Sequence, residues 1–261
     1  MPKKGDTGKG TLPDGWPRFL AHRGASSLAP ENTLAAFSLA RKLGAKGVEF
    51  DVHLARTGES VVTHDHRLDR VASLPLRVED LSLADLREID VGSFFGKSRD
   101  ATVGSSFRGE RIPTLDEVLE TVGADCFCDI ELKATAGNAR ALAGTVAETL
   151  ARHGRTNCIV SSFNPFAILA FARASRVPTA AIYCPYPSVP FFLRHRECLY
   201  LSGADVKKPA RETALSSPRF ETGSRPVIVW TVDSREEAER LFSGGVRSII
   251  TNRIEDFVRD D

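Results

Sequence analysis

The 261-residue chain has no run approaching the about 18 consecutive apolar residues that a membrane span needs. Its first twenty residues hold no apolar core of the kind a signal peptide carries. No stable membrane insertion is expected, and residues 1–17, opening MPKKGDTGKG, read as a solvated tail. An excess of one charge is missing too: 35 Lys and Arg against 34 Asp and Glu leave a formal +1. That excludes the broad cationic field that holds nucleic acid or an anionic membrane, so any phosphate recognition must rest on a few placed cations. The five cysteines are an odd number without a C-x-x-C pair, which argues against a disulfide framework or a thiolate metal site. Reduced, buried thiols in a cytoplasmic protein are the expectation. Gly-rich dinucleotide fingerprints and Walker loops are absent as well.

What is present is an ordinary globular composition, 42% hydrophobic and 26% charged. Short apolar runs alternate with amphipathic stretches: RFLAH (18–22), VEFDV (48–52), FCDIEL (127–132), CIVSSF (158–163), TAAIY (179–183), LYLSGAD (199–205), VIVWTV (227–232) and SIIT (248–251). Helix-length patterns such as TLAAFSLARKLG, TLDEVLETVG, ARALAGTVAETLARHG and REEAERLFSGG lie between them. Repeated βα units predict parallel strands, and eight of them predict a closed (β/α)8 TIM barrel over residues 18–261. A ninth run, VVTH (61–64), follows Leu54 too closely for a parallel crossover and predicts an antiparallel hairpin. A turn at Thr57 and Gly58 sets Asp51 opposite His64, and a slightly longer turn shifts the register by one. Residues 66–111 break the rhythm with GSFFGKSRD and GSSFRGERIP, predicting an insertion over the catalytic face with one short helix near Leu83–Ile89.

Glu49 and Asp51 are two apart on a strand, so their carboxylates share a face, and the same parity aligns Glu131 with Lys133. In a barrel of this kind such strand ends form the active-site face. Taken alone, E-x-D reads as helix caps or rim ion pairs. Three carboxylates converging from two strands, however, make an oxygen-only site suited to Mg²⁺ or Ca²⁺. His22 and Arg23 end the first strand and His64 ends the hairpin. Two imidazoles can divide acid and base roles, and Arg23 and Lys133 suit phosphate oxygens. Together these residues fit metal-assisted phosphodiester cleavage.

AHRGASSLAPENTLAAF, GVEFDVHLARTGESVVTHD, IPTLDEVLE, DIELK, SSF, WTVD and GGVRSIITN, in this order, resemble the glycerophosphodiester phosphodiesterase family from residue 18 to about 255, and most of all its compact cytosolic bacterial members. The resemblance implies that His22 and His64 are the general acid and base. It implies that Glu49, Asp51 and Glu131 bind one divalent ion, and that Arg23 and Lys133 hold the phosphate of a small glycerophosphodiester. Glu31 and Asn32 would cap the first helix and orient neighbours, Asp65 would hold the hairpin or a histidine, and Trp230 would wall the glycerol pocket. Two departures stand out: Asn252 replaces the family's usual Asp, and the sixth strand runs on as GADVKKP, with Lys207 and Lys208, in place of a His-containing end. Both are expected to reshape the alcohol pocket and to leave the metal, acid and base positions untouched. His53 and His66 read as rim residues.

The nucleophile is either water or the substrate's own glycerol hydroxyl. A lysophospholipase D activity is the alternative within the same chemistry, with YCPYPSVPFFLRH (183–195) and the Phe-rich insertion as an acyl groove. A glycoside hydrolase would also use paired carboxylates but needs neither the histidines nor the cations. A non-catalytic phosphate-binding barrel is the remaining alternative.

Overall fold

The computed structural model describes residues 15–96, 107–187, 189, 194, 196–216 and 225–258. Residues 1–14 of the expected tail 1–17, the centre of the Phe-rich insertion and most of VPFFLRH therefore lie outside the described residues, whereas Trp16 and Pro17, expected to be solvated, are buried against the barrel. Eight strands run parallel: β1 (Phe19–His22), β2 (Gly47–Leu54), β4 (Phe127–Leu132), β5 (Cys158–Ser162), β6 (Thr179–Tyr183), β7 (Val206–Pro209), β8 (Ile228–Val229) and β9 (Ser248–Thr251). β3 (Ser60–Val62) pairs antiparallel with β2. The order β7-β6-β5-β4-β2-β1-β9-β8 is closed where the Lys207 N–H donates to Pro226 O (2.9 Å) and the Arg211 N–H to Trp230 O (2.6 Å). The expected (β/α)8 barrel is what forms.

Around it lie α1 (Leu34–Leu43), α2 (Asp69–Ala72), α3 (Leu83–Arg87), α4 (Leu115–Val122), α5 (Ala139–Arg152), α6 (Pro165–Ala174), α7 (Glu197–Ser202), α8 (Arg211–Leu215) and α9 (Arg235–Ser243). Local chemistry starts and stops them. The Thr33 hydroxyl accepts from the Ala36 N–H at the start of α1, and Gly44 ends that helix with φ +103°. The first helix is thus capped by Thr33, which releases Glu31 and Asn32 from the capping role expected of them. α4 begins with a reciprocal capping box between Thr114 and Glu117.

Strand parity divides the side chains between two cores. Val48, Phe50 and Val52 face the helices, and Phe37 of α1 meets Phe50 edge-on at 5.5 Å. On the inside, Leu20, Phe127, Ile159, Val206, Ile228 and Ile250, with Trp16 below, fill the barrel floor. β2 contributes Gly47 at this level because nothing larger fits: a Cβ there would stand 2.4 Å from Leu20 Cδ2 and 2.7 Å from Pro17 Cγ. The next inward positions along β2 are Glu49 and Asp51, so the floor lifts the polar groups to the C-terminal mouth. All five cysteines are free and buried, as expected.

Three details differ from the sequence reading. The hairpin takes the longer turn: Val52 pairs with Val62 and Leu54 with Ser60, and Gly58 turns the chain with φ +101°. Asp51 therefore faces Thr63, whose N–H donates to Asp51 O (3.0 Å), and His64 lies one residue past it. LYLSGAD is not a strand. Its first residues belong to α7, where Cys198, Leu199 and Ser202 are buried at helical spacing and Tyr200 and Leu201 face outward. The strand is VKKP, one segment later. Finally, the insertion holds more structure than one short helix. α2, α3 and a 3-10 turn at Val78–Asp80 enclose a small core of Leu68, Val78, Leu86, Ile89 and Val91 against Val61 of β3.

Gly47→Ala is expected to lower unfolding free energy by about 1–3 kcal/mol through overpacking of the floor. The urea midpoint, at unchanged denaturant slope, measures it.

Candidate active site

The mouth is built in two tiers. In the lower tier β2, β4, β5 and β7 place Glu49, Asp129, Ser161 and Lys208 inside the barrel, all buried. The Lys208 ammonium stands 2.9 Å from Asp129 Oδ2 and 3.4 Å from Glu49 Oε1, and donates to Ser161 Oγ (3.0 Å). Ser161 in turn donates to Asp129 Oδ1 (2.8 Å). In the upper tier Lys133 Nζ lies 2.7 Å from Glu131 Oε1 and 3.0 Å from Asp51 Oδ1. Arg23 brings Nε to 3.2 Å from Asp51 Oδ2 and donates through Nη1 to Glu31 Oε1 (2.9 Å).

Charge explains the titration behaviour of these groups. Burial pushes the Glu49 carboxyl up to about 8, partly offset by Lys208 and reinforced by Asp51, Asp129 and Glu131. Burial acts on Asp51 in the same sense, but Lys133 and Arg23 outweigh it and hold that carboxyl well below its ordinary value. Burial pulls Lys208 down, and Asp129 and Glu49 more than reverse it. Asp51 and Glu131 do the same for Lys133.

Glu49, Asp51 and Glu131 bring one carboxylate oxygen each to within 4.8 Å of one another. Glu49 Oε2 is buried without a hydrogen-bond partner. An oxygen-only donor set with an unspent lone pair and excess negative charge fits a hard divalent cation. These are the three residues the sequence singled out.

Both histidines reach the mouth with one ring nitrogen committed. His22 Nδ1 is 2.6 Å from Asn252 Oδ1, and the Asn252 amide is oriented by donating from Nδ2 to Asp233 Oδ2 (2.8 Å). Nδ1–H therefore donates, which leaves Nε2 as the lone pair, 3.7 Å from Glu49 Oε2. Burial, then Arg23, pulls His22 down to about 3. His64 Nδ1 is 2.7 Å from Asp65 Oδ1, and Arg70 of α2 binds Asp65 Oδ2 (2.7 Å) and both oxygens of Glu31. Asn32, with φ +58°, donates to Asp51 Oδ2 (2.9 Å). Asp65 and Asn32 thus act as the expected orienting groups.

A cleft of about 900 Å³ opens beside this centre, lined by His64, Glu131 and Lys133 on one side and by Phe163, Phe166 and Leu201 on the other. Trp230 stands behind it. Its indole N–H donates to Lys208 O (3.1 Å) and its ring meets Phe163 edge-on at 5.9 Å. Of the acyl groove offered by the sequence, Phe94 and Phe95 line a separate cavity of about 180 Å³, and residues 97–106 and 190–193 lie outside the described residues.

Two expectations are overturned outright. Asn252 and Lys208 are expected in the alcohol pocket, whereas Asn252 fixes the His22 tautomer and Lys208 pairs with Asp129 and, at longer range, Glu49. His53 is no rim residue either: it is buried at 0% exposure beneath the insertion. Asp129 went unnoticed although it shares the parity of Glu131. The inward position of Lys208 does not follow from the sequence reading because that reading sets its strand one segment early.

The fold and the site together define a TIM-barrel hydrolase whose strand ends carry a carboxylate centre between two histidines. The profile of the Glycerophosphoryl diester phosphodiesterase family matches residues 22–256. Relatives include YhdW of Bacillus subtilis, 33% identical over 93% of this chain and 97% of that one. A glycerophosphodiester phosphodiesterase of Caldanaerobacter subterraneus is 32% identical over 89% and 93%. Among solved structures, an Oleispira antarctica phosphodiesterase in complex with the product sn-glycerol-3-phosphate superposes with a TM-score of 0.78 at 26% identity, covering 94% of this chain and 97% of that one. The chain belongs to the glycerophosphodiester phosphodiesterase family. No helix among the described residues is long and apolar enough to cross a membrane.

Lys208→Met should strand the Glu49 and Asp129 charges and cost about 3–5 kcal/mol in the metal-free protein. Adding Asp129→Asn should recover part of that loss, as read by chemical denaturation of the single and double variants.

Proposed function

We propose that this chain hydrolyses glycerophosphodiesters such as glycerophosphocholine or glycerophosphoethanolamine to glycerol 3-phosphate and an alcohol. The observation that carries the reading is the trio of buried carboxylates within 4.8 Å of one another, set between two histidines that each keep one ring nitrogen uncommitted. The relative holding sn-glycerol-3-phosphate supports the substrate class.

Glu49, Asp51 and Glu131 would hold Mg²⁺ or Ca²⁺, which when bound supplies Lewis-acid stabilisation of the charge gathering on the phosphate. Arg23 and Lys133, which pair with Asp51 and Glu131, would present their cations to the same phosphate oxygens. The two histidines differ in their partners. His22 donates to a neutral amide oxygen and is held uncharged, so its Nε2 lone pair serves as the base toward the attacking hydroxyl, whether of water or of the substrate's glycerol. His64 donates to the Asp65 carboxylate, which stabilises an imidazolium and suits His64 to protonate the departing alkoxide. Phe163, backed by Trp230, gives the glycerol or alcohol portion an aromatic wall.

The apolar side of the cleft favours a second reading, a lysophospholipid whose acyl chain lies along Phe163, Phe166 and Leu201. Phe166 is 71% exposed and Leu201 60%, an unusual amount of apolar surface beside a charged centre.

Release of glycerol 3-phosphate from both diesters should stop with EDTA and return with Mg²⁺ or Ca²⁺. Failure to return with either ion would sink the metal-dependent reading. His22→Asn and His64→Asn should each lower kcat by about 10²–10⁴-fold with small changes in KM. Phe166→Asp should leave glycerophosphocholine turnover near wild type under the first reading. Under the second it should depress lysophosphatidylcholine turnover selectively.

A further inference from the structure

A second group of donors stands beside the mouth, with His66 on the edge of the cleft, and plays no part in the chemistry above. His53 lies on β2 two residues beyond Asp51, and its ring is enclosed between the hairpin and the insertion. Its Nδ1 is 3.0 Å from Glu79 Oε1, and its Nε2 is 3.2 Å from the backbone oxygen of His64. His66, at the start of the insertion, turns its own Nδ1 onto the same Glu79 Oε1. The two imidazoles meet edge to face with centroids 4.7 Å apart, and the three donor atoms lie within 4.8 Å of one another. Arg77 takes the other carboxylate oxygen, Nη2 to Oε2 at 3.3 Å, so Oε1 alone faces the rings.

Hydrogen counting singles this cluster out. A backbone carbonyl only accepts, so the contact to His64 O places a proton on His53 Nε2. In the neutral ring Nδ1 then carries a lone pair, and it is aimed at a carboxylate oxygen that also only accepts. His66 aims a second imidazole nitrogen at the same oxygen. His66 can meet that oxygen as an Nδ1–H donor, but the lone pairs of His53 Nδ1 and Glu79 Oε1 still face each other and need a cation, a proton or a metal ion, between them. An outer N–H given to a backbone carbonyl is the bond by which metal-bound imidazoles are usually oriented.

We propose that His53, His66 and Glu79 form a second metal site that takes Zn²⁺ or a similar borderline divalent ion. Two imidazole nitrogens and one carboxylate oxygen select such an ion over Mg²⁺ or Ca²⁺, which prefer oxygen alone. Ligands at about 2.0–2.1 Å from a tetrahedral ion stand roughly 3.3 Å apart, so the His53 contact needs a shift of only a few tenths of an ångström, and the tighter His66 contact opens to admit the ion. The His66 side chain is 40% exposed, which leaves an entry path and a fourth position for water. The ion would tie residues 66–79 to β2 and, through the His53 bond to its backbone, steady the segment that carries His64. Its work is structural, and it does not depend on which diester is cleaved.

The test uses metal alone. The full chain, stripped of metal and then given saturating Mg²⁺ to fill the carboxylate centre, is titrated with Co²⁺ as a spectroscopic substitute for Zn²⁺. The expected result is one equivalent showing intense tetrahedral visible bands, displaced by Zn²⁺, with a rise in Tm on adding Zn²⁺. Co²⁺ affinity should fall at least about 100-fold in His66→Ala, more than loss of an outer-shell group costs, and should persist in Glu131→Gln. Circular dichroism checks that His66→Ala is folded, and Glu79→Gln serves as the second variant. If wild type binds no such ion, the site is refuted, and a proton held between His53 and Glu79 accounts for the geometry. A signal that survives in His66→Ala and Glu79→Gln but vanishes in Glu131→Gln puts the ion on the carboxylates and equally overturns the assignment.

Discussion

Four carboxylates, Glu49, Asp51, Asp129 and Glu131, are buried inside one end of a barrel, and most of what surrounds them follows from that. Charges taken out of water cost several kcal/mol each unless paired. Lys208 enters from below, Lys133 from the same strand as Glu131, and Arg23 from the end of β1. Three cations do not cancel four anions, and burial raises the proton affinity of both lower-tier carboxyls, Glu49 and Asp129. A fold selected for stability alone would fill this volume with the aliphatic side chains that occupy the floor beneath. The mouth instead keeps an excess of negative charge, which a divalent cation would offset under the proposed reading.

Groups from separate loops hold the two histidines and Asp51 in place. Asp233 orients Asn252, which orients His22; Arg70 orients Asp65, which orients His64; Asn32 orients Asp51. The strands supply fixed positions and the loops supply direction, the division of labour usual for barrels of this type. The insertion joins through Arg70, which reaches back to Glu31 and Asp65 at the rim. Its own small apolar core rests on the hairpin and gives that arginine a firm base.

Strand parity made much of this legible before any coordinates. Short apolar runs placed seven of the eight parallel strands and the hairpin, and the spacing of Glu49, Asp51, Glu131 and Lys133 set them on one face. Parity fails where the element itself is misread. LYLSGAD has the composition of a strand, yet Cys198, Leu199 and Ser202 bury one face of a helix, and the strand that follows carries Lys208 into the barrel. A lysine in an apolar run reads as an edge or a surface position, because nothing local shows that Asp129 and Glu49 wait opposite it.

By itself, then, the sequence determined the barrel, the hairpin and the placement of Glu49, Asp51, Glu131, His22 and His64 at the mouth, since these depend on periodicities of two and 3.6 residues along a single chain. Tertiary structure decided which groups pair across it. Asn252 meets His22 from 230 residues away, Lys208 meets Glu49 from 159, and His53 is buried only because the insertion folds over it. Such contacts are set by barrel closure and by the packing of loops on its rim. A side chain's role at the mouth is therefore fixed by charge and hydrogen-bond partners that arrive from distant strands, and local pattern carries no record of them.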